Sequence, residues 1–157
     1  MTDTQAIVSV NADVSRYTLE RAWQRTWLAI EAAAWRSLAV IPTHEGSSLE
    51  IVHGLAAVAW QQRGHSVVVA DIRAISMPAL SAVRHELRHR AANGERILIV
   101  ARSLAENPVA ATIAREADGV VLCVILGRTK RKSVAEAIQE IGKDRIIGTI
   151  SLRFNRT

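Results

Sequence analysis

A three-layer α/β fold, with a mainly parallel sheet of about five strands and helices on both faces, is what this sequence predicts. Three observations carry that expectation. Short runs of Val, Ile and Leu recur along the chain, each alternates with a stretch of helical periodicity, and small or polar residues mark the junctions. A strand covered on both faces has no polar side to show, so it reads as an unbroken apolar run.

In chain order, Trp23, Trp27, Ile30 and Ala34 recur at three- and four-residue spacing. They predict a helix from Thr18 to about Arg36, with Thr18 or Asp13 as a nearby cap. Residues 1–17 form an N-terminal segment and 18–157 a single domain. Ser37 to Ile41 (SLAVI), closed by Pro42, predicts the first buried strand, and the small polar stretch Thr43 to Ser48 follows. A second helix is expected from Leu49 to Arg63, stopped at Gly64. Ser66 to Ala70 (SVVVA) is a second strand ending at Asp71, and Met77 to Ala92 a third helix stopped by Asn93-Gly94. Strand Ile97–Ala101, helix Pro108–Glu116, strand Val120–Ile125, helix Arg131–Ile141 before Gly142, and strand Ile146–Leu152 complete the alternation.

At 157 residues the chain can bury a sizeable core without staples. Its only cysteine, Cys123, lies within an apolar run, which suits a reducing compartment and an inert core thiol. No basic region followed by a long apolar stretch opens the sequence, so no signal peptide is expected. The longest apolar run, Val120 to Leu126, is far short of a membrane span, and a cytoplasmic location follows as the expectation. The net charge of +5, with 17 of 20 basic residues Arg, makes a mildly cationic surface. Such a surface attracts nucleic acid, anionic lipid or an acidic protein, but no basic stretch is interleaved with aromatics for stacking bases. In an open parallel sheet the functional crevice lies at the carboxyl ends of the strands. Thr43 to Ser48, Asp71 to Arg73, Arg102 to Asn107 and Gly127 to Lys132 should line it.

Four stretches share wording with one family. AWQRTWLAIE (Ala22–Glu31) resembles an "EAYRTLRTNI" helix, and LAVIPTHEGSS (Leu38–Ser48) stands where a strand is followed by "TSPxPGEGKST". GLAAVAWQQRGHSVVVADIR (Gly54–Arg73) tracks "NLAxxLAQxGKRVLLIDADLR", and Asn107–Ile138 follows "xxDAxxLAxxADGVxLVVRxGxT". In this order they resemble the MinD/ParA group of P-loop ATPases, and most of all the cytoplasmic domain of bacterial tyrosine autokinases of capsule and exopolysaccharide synthesis. The resemblance covers most of the chain at weak identity and implies a trimmed P-loop NTPase-like fold.

The departures are specific. A working P-loop wraps phosphates in glycine amides, reaches the β and γ groups with a lysine, and holds magnesium with Ser or Thr. Here the loop is His44-Glu45-Gly46-Ser47-Ser48, with Ser47 in the lysine position. Of the two aspartates the resemblance leads one to expect after the second strand, Val69 replaces the first, leaving Asp71 with Arg73 nearby. Ile97–Ser103 lacks the strand-three aspartate, Leu152 stands near the place of an adenine-side Asn, and Tyr17 is the sole tyrosine. Phosphoryl transfer depends on positioned charge around the metal and γ-phosphate, so efficient ATP hydrolysis is not expected.

Other constellations have plainer readings. His85-Glu86-Leu87-Arg88-His89 matches H-E-x-x-H in form, but Arg88 and Arg90 oppose a cation there and no third ligand is well spaced. Glu86 pairing with Arg90 at i,i+4 on a solvated helix is the expectation. Asp118 before Gly119 matches an "ADG" turn with a structural role. Trp23 and Trp27 at helical spacing suggest core, yet their helix, with Arg25, corresponds to one that takes part in subunit contacts in the family, which makes Trp23, Arg25 and Trp27 interface candidates. Either Trp35 or Trp60 would be exposed. Arg128, Lys130, Arg131 and Lys132 form the densest positive cluster, at a helix start on the crevice side, and suit an anion or an acidic partner.

The resemblance thus implies a pseudo-ATPase with no catalytic residue, no metal and no required cofactor. Its role would be regulation or scaffolding in bacterial exopolysaccharide synthesis and export. Docking would be on a membrane-embedded co-polymerase or on further copies of the chain, which would lie in the cytoplasm, peripheral to the inner membrane. A second reading keeps weak ATP or ADP and Mg²⁺ binding on Gly46, Ser47, Ser48 and Asp71. A third, a ParA-like nucleic-acid module, rests on the basic loop alone.

Overall fold

The computed structural model describes residues 7–9, 21–62 and 67–152. Five parallel strands form the sheet: β2 (Ser37–Pro42), β3 (Val67–Asp71), β4 (Arg96–Val100), β5 (Gly119–Ile125) and β6 (Ile146–Leu152). A short strand β1 (Ile7–Ser9) adds to β3 in the antiparallel sense, giving the order β1-β3-β4-β2-β5-β6. The expected α/β fold with helices on both faces is what forms. The caps at Asp13 and Thr18, Tyr17, and the expected helix stop at Gly64 lie outside the described residues.

The order explains the layering. From β2 the chain moves two places one way to β3, then returns through β4 and β5 to β6 in the other direction. Crossovers between parallel strands are right-handed almost without exception, so reversing direction puts the helices on opposite faces. One core accordingly joins Trp27 and Ile30 of α1 (Arg21–Glu31) and Ile51, Val52, Leu55, Ala56, Val58 and Ala59 of α2 (Leu49–Gln61) to Leu38, Val40, Leu98, Val100, Val121 and Cys123. The other joins α3 (Leu80–Ala92), α4 (Ala110–Glu116) and α5 (Arg131–Ile141) to Ala39, Ile41, Ile97, Ile99, Val120 and Leu122. Odd and even residues of each strand thus serve different cores, and this is why the runs show no alternation.

Three boundaries differ from expectation for local reasons. Helix α1 stops at Glu31 rather than Arg36, because Trp35 folds back into the core and its indole N–H donates to the Ile30 carbonyl at 3.0 Å. A side chain thereby satisfies one of the carbonyls a helix end leaves unpaired. The third helix opens with a 3₁₀ turn, Met77–Ala79, around Pro78 before α3 proper. The fourth begins at Ala110 rather than Pro108, after a turn in which Asn107 Oδ1 accepts the Val109 N–H. Strand β1 was not expected from the sequence, since three residues carry too little periodicity to read.

Helices α1 and α2 pack closely because Gly54 lacks a side chain. A Cβ there would come within 2.8 Å of the Trp23 ring, which accounts for a glycine inside a helix despite its cost of about 1 kcal/mol. Trp27 meets Trp35 edge-on at 5.9 Å and donates to Gln62 Oε1 at 2.8 Å, while the Arg96 guanidinium lies 4.0 Å over the Trp35 ring. At the amino ends of the strands, Asp118 Oδ2 accepts the Arg36 and Ser37 N–H groups, and Ser37 Oγ accepts that of Asp118. The Asp118 turn is structural, as its sequence context indicated. No helix among the described residues is long and apolar enough to cross a membrane.

Trp27 is 1% exposed and Trp60 52%, so the same truncation should separate them. Trp27→Ala is expected to lower unfolding free energy by about 3–5 kcal/mol. Trp60→Ala should stay within about 0.5 kcal/mol, both read from urea denaturation at neutral pH.

Candidate functional site

Strands that run in one direction deliver their following loops to one rim. Because β2 lies between β4 and β5, the loop His44–Ser48 meets the loops after β4 and β5, whereas Asp71 ends β3, one strand further out.

The contact with β4 is a zipper. Ser48, fully buried, accepts the Ala101 N–H on Oγ at 3.1 Å. Both its backbone N–H (3.0 Å) and its hydroxyl (3.3 Å) donate to the Ala101 carbonyl. Ser47 forms an antiparallel bridge with Arg102. The remaining amide of interest belongs to Gly46, whose φ of +121° is a conformation that side-chain-bearing residues rarely adopt. Its N–H donates to Glu106 Oε1 at 2.8 Å. The same oxygen accepts the Ser103 hydroxyl at 2.9 Å, and Oε2 accepts Arg102 Nη1 at 3.2 Å. The Gly46 amide, then Ser103 and Arg102, hold the Glu106 carboxyl below the usual glutamate range against a weaker effect of burial. An anion does sit on this loop, and it is the protein's own carboxylate.

Asp71 is equally occupied. Burial would raise its carboxyl, but the forked bonds from Arg73 Nε and Nη2 at 2.7–3.0 Å, the Arg73 N–H and the nearby charges of Arg73 and His53 hold it below its usual value. Asn107 fastens this loop to the β4 loop, its Nδ2 donating to the Ile75 carbonyl at 3.0 Å.

His44 lines a cleft of about 350 Å³ with Thr43, Ser103, Glu106, Ser133 and Glu136. Its Nδ1 is shielded from solvent without a hydrogen-bond partner. Burial lowers its pKa, with Glu106 opposing and Arg128 reinforcing, so the imidazole is neutral at neutral pH. That coupling places Arg128, after β5, within electrostatic reach of the His44–Ser48 loop, while Glu45 points to solvent. Lys130, Arg131 and Lys132 are exposed at the start of α5, with Lys132 Nζ 3.8 Å from Glu136.

The rim therefore gathers His44, Gly46, Ser47, Ser48 and Arg128, and leaves Asp71 and Arg73 paired with each other. Of the interface candidates, Arg25 is exposed, Trp23 is half-buried over Gly54, and Trp27 is a correction. Its side chain lies in the core because it fills the space between α1, Trp35 and Gln62. Trp35 is buried too, which leaves Trp60 as the exposed tryptophan of that pair. On α3, His85 and His89 face solvent and Glu86 pairs with Arg90 at 2.9 Å as expected; Arg84 and Arg88 both bind Glu116. Cys123 is buried and its thiol is pushed up to about 12, so it stays protonated.

Glu106, Ser103 and Asn107 tie the rim together, and only their segment, not the residues, stood out in the sequence. The available signal was Ser103-x-x-Glu106, the spacing of a reciprocal Ser–Glu turn. The Glu106 N–H does return to Ser103 Oγ, at 3.4 Å.

Fold and rim together define a doubly wound α/β domain whose carboxyl-end loop is closed by an internal acid. Comparison with known proteins finds no matching family model, no matching curated protein and no matching solved structure.

Glu106, Asp71 and Glu116 are all held below their ordinary carboxylate values. Their bonds therefore support the fold fully above the unfolded-state pKa, and that support is lost as pH falls through the lower folded value. Unfolding free energy should slip slightly as pH falls through about 6.5, where His44 takes a proton more readily in the unfolded chain, and decline more steeply below about pH 4. Glu106→Gln should make that decline shallower in denaturant titrations run at successive pH values.

Proposed function

We propose that this chain is a pseudo-ATPase of the MinD/ParA kind, most similar to the domain of the tyrosine autokinases, acting as a non-catalytic regulatory or scaffolding protein of bacterial exopolysaccharide synthesis and export. One observation carries the non-catalytic part: the Glu106 carboxylate on the Gly46 amide. An anion-accepting amide already bound to a carboxylate repels an incoming phosphate and has no donor left for it. The loop also lacks a lysine to offset that charge, and Asp71 is engaged by Arg73. The order of the five parallel strands, with the degenerate loop after the central one, supports the kinship. The polysaccharide role rests on the four shared stretches.

As a scaffold the chain would work in the cytoplasm, at the inner membrane, against a membrane-embedded co-polymerase or against copies of itself. The outer side of α1 favours such a contact. Arg25 and Leu28, three residues apart, are both exposed there, Leu28 at 57%. Deleting α1 would strip Trp27 and Ile30 from the core, so the interface is better tested by substitution.

Calorimetric titration with ATP and Mg²⁺ should give no binding heat at millimolar nucleotide, for the parent and for Asp71→Ala alike. Tight binding that Asp71→Ala abolishes would establish the enzyme reading instead. In light scattering, Arg25→Glu with Leu28→Glu should reduce assembly to the single chain, and unchanged assembly would exclude α1 as the interface.

A further inference from the structure

The tip after β5 combines two properties that no element of the rim explains. Between Asp118 and Glu136 the chain contains no acidic residue, and within Leu126–Lys132 it carries Arg128, Lys130, Arg131 and Lys132. Leu126, at the head of that tip, is 47% exposed, one of only five large apolar side chains left so open among the described residues. We propose that the Leu126–Lys132 tip docks the protein on an anionic lipid surface.

The tip is held in shape rather than loose. The Leu126 N–H donates to the Leu152 carbonyl at 2.9 Å, the Arg128 and Thr129 N–H groups to the Ile125 carbonyl, and Thr129 Oγ1 accepts the Ile125 N–H at 2.9 Å. An exposed leucine is thus presented beside a fixed group of cations. At the start of α5, the contact of Lys132 with Glu136 is 3.8 Å long between side chains 85% and 58% exposed, and so largely screened. The first turn of α5 adds no carboxylate, and no side chain caps its amides.

Charge complementarity alone fits any polyanion. Leucine makes the difference, because a phosphodiester backbone offers no apolar layer, whereas the acyl boundary beneath lipid headgroups does. The tip carries no aromatic side chain to stack on a base either. This inference stands apart from the pseudo-ATPase reading, since it uses neither Glu106 nor the phosphate loop, and its failure would leave the nucleotide result untouched.

The test is co-sedimentation of the full chain with vesicles of phosphatidylcholine alone or mixed with phosphatidylglycerol. Binding is expected only to the mixed vesicles, weakening as salt is raised. Each cation near such a surface contributes about fivefold, so K130S/R131S/K132S should lose roughly 100-fold in partition. Leu126→Ala should weaken binding several-fold and keep the salt dependence. Circular dichroism should show both variants folded, since every changed side chain is exposed. No sedimentation with mixed vesicles, or sedimentation unchanged in K130S/R131S/K132S, would overturn the proposal. So would lipid binding indifferent to Leu126→Ala together with tighter binding of duplex DNA through the same three residues, which would make the tip a general polyanion surface.

Discussion

The structure depends on the position of one strand. β2 is hydrogen-bonded to β4 along one edge and to β5 along the other, and four of its six side chains are completely inaccessible. A strand so enclosed can only be apolar, and whatever follows it must leave at the rim, between the loops of its two neighbours. That constraint decides which residues meet. Gly46 faces Glu106 because β4 is adjacent, and His44 comes within reach of Arg128 because β5 is. Asp71, at the end of β3 and separated from β2 by β4, forms its bonds elsewhere.

This also accounts for what the sequence disclosed and what it withheld. Burial on both faces writes itself into a sequence as contiguous Val, Ile and Leu, so the five parallel strands and the helices between them were legible. The alternation even implied that the crevice lies after their carboxyl ends. The end of α1 was not legible, because it is set by Trp35 reaching Ile30 through a fold that only the finished core requires. Trp27 was ambiguous for a related reason: helical spacing places it on a stripe but does not say whether that stripe meets the sheet or a partner. Glu106 was hidden in the opposite way. Its local partners, Ser103 and Arg102, lie within four residues, yet the contact that gives it significance is to Gly46, 60 residues away.

At the rim, Gly46, Ser47, Ser48 and Asp71 are each bonded within the chain. The Gly46 amide has Glu106, Ser47 bridges to Arg102, Ser48 is consumed by Ala101, and Asp71 by Arg73. Such pairing follows from the cost of leaving a polar group unsatisfied, about 1–3 kcal/mol where it is buried. A loop without ligand must satisfy its donors from within, and one that does so with a carboxylate acquires a charge that opposes phosphate. Closing the loop stabilises it and, by the same bonds, makes it a poor receptor for a phosphate.

Inside the loop the local anion Glu106 is balanced by Arg102, and Asp71 by Arg73, so these pairs contribute little field at a distance beyond the screening length of salt solution. The neutral His44 adds none. The densest group of cations on this side of the molecule is Arg128 to Lys132, a stretch with no acid before Glu136. Lys130, Arg131 and Lys132 stand on a solvent-exposed tip, apart from the closed loop with its internally bonded amide. An amide cradle grips one phosphate at fixed geometry, whereas long flexible cations over an open face suit many anionic groups spread across a surface.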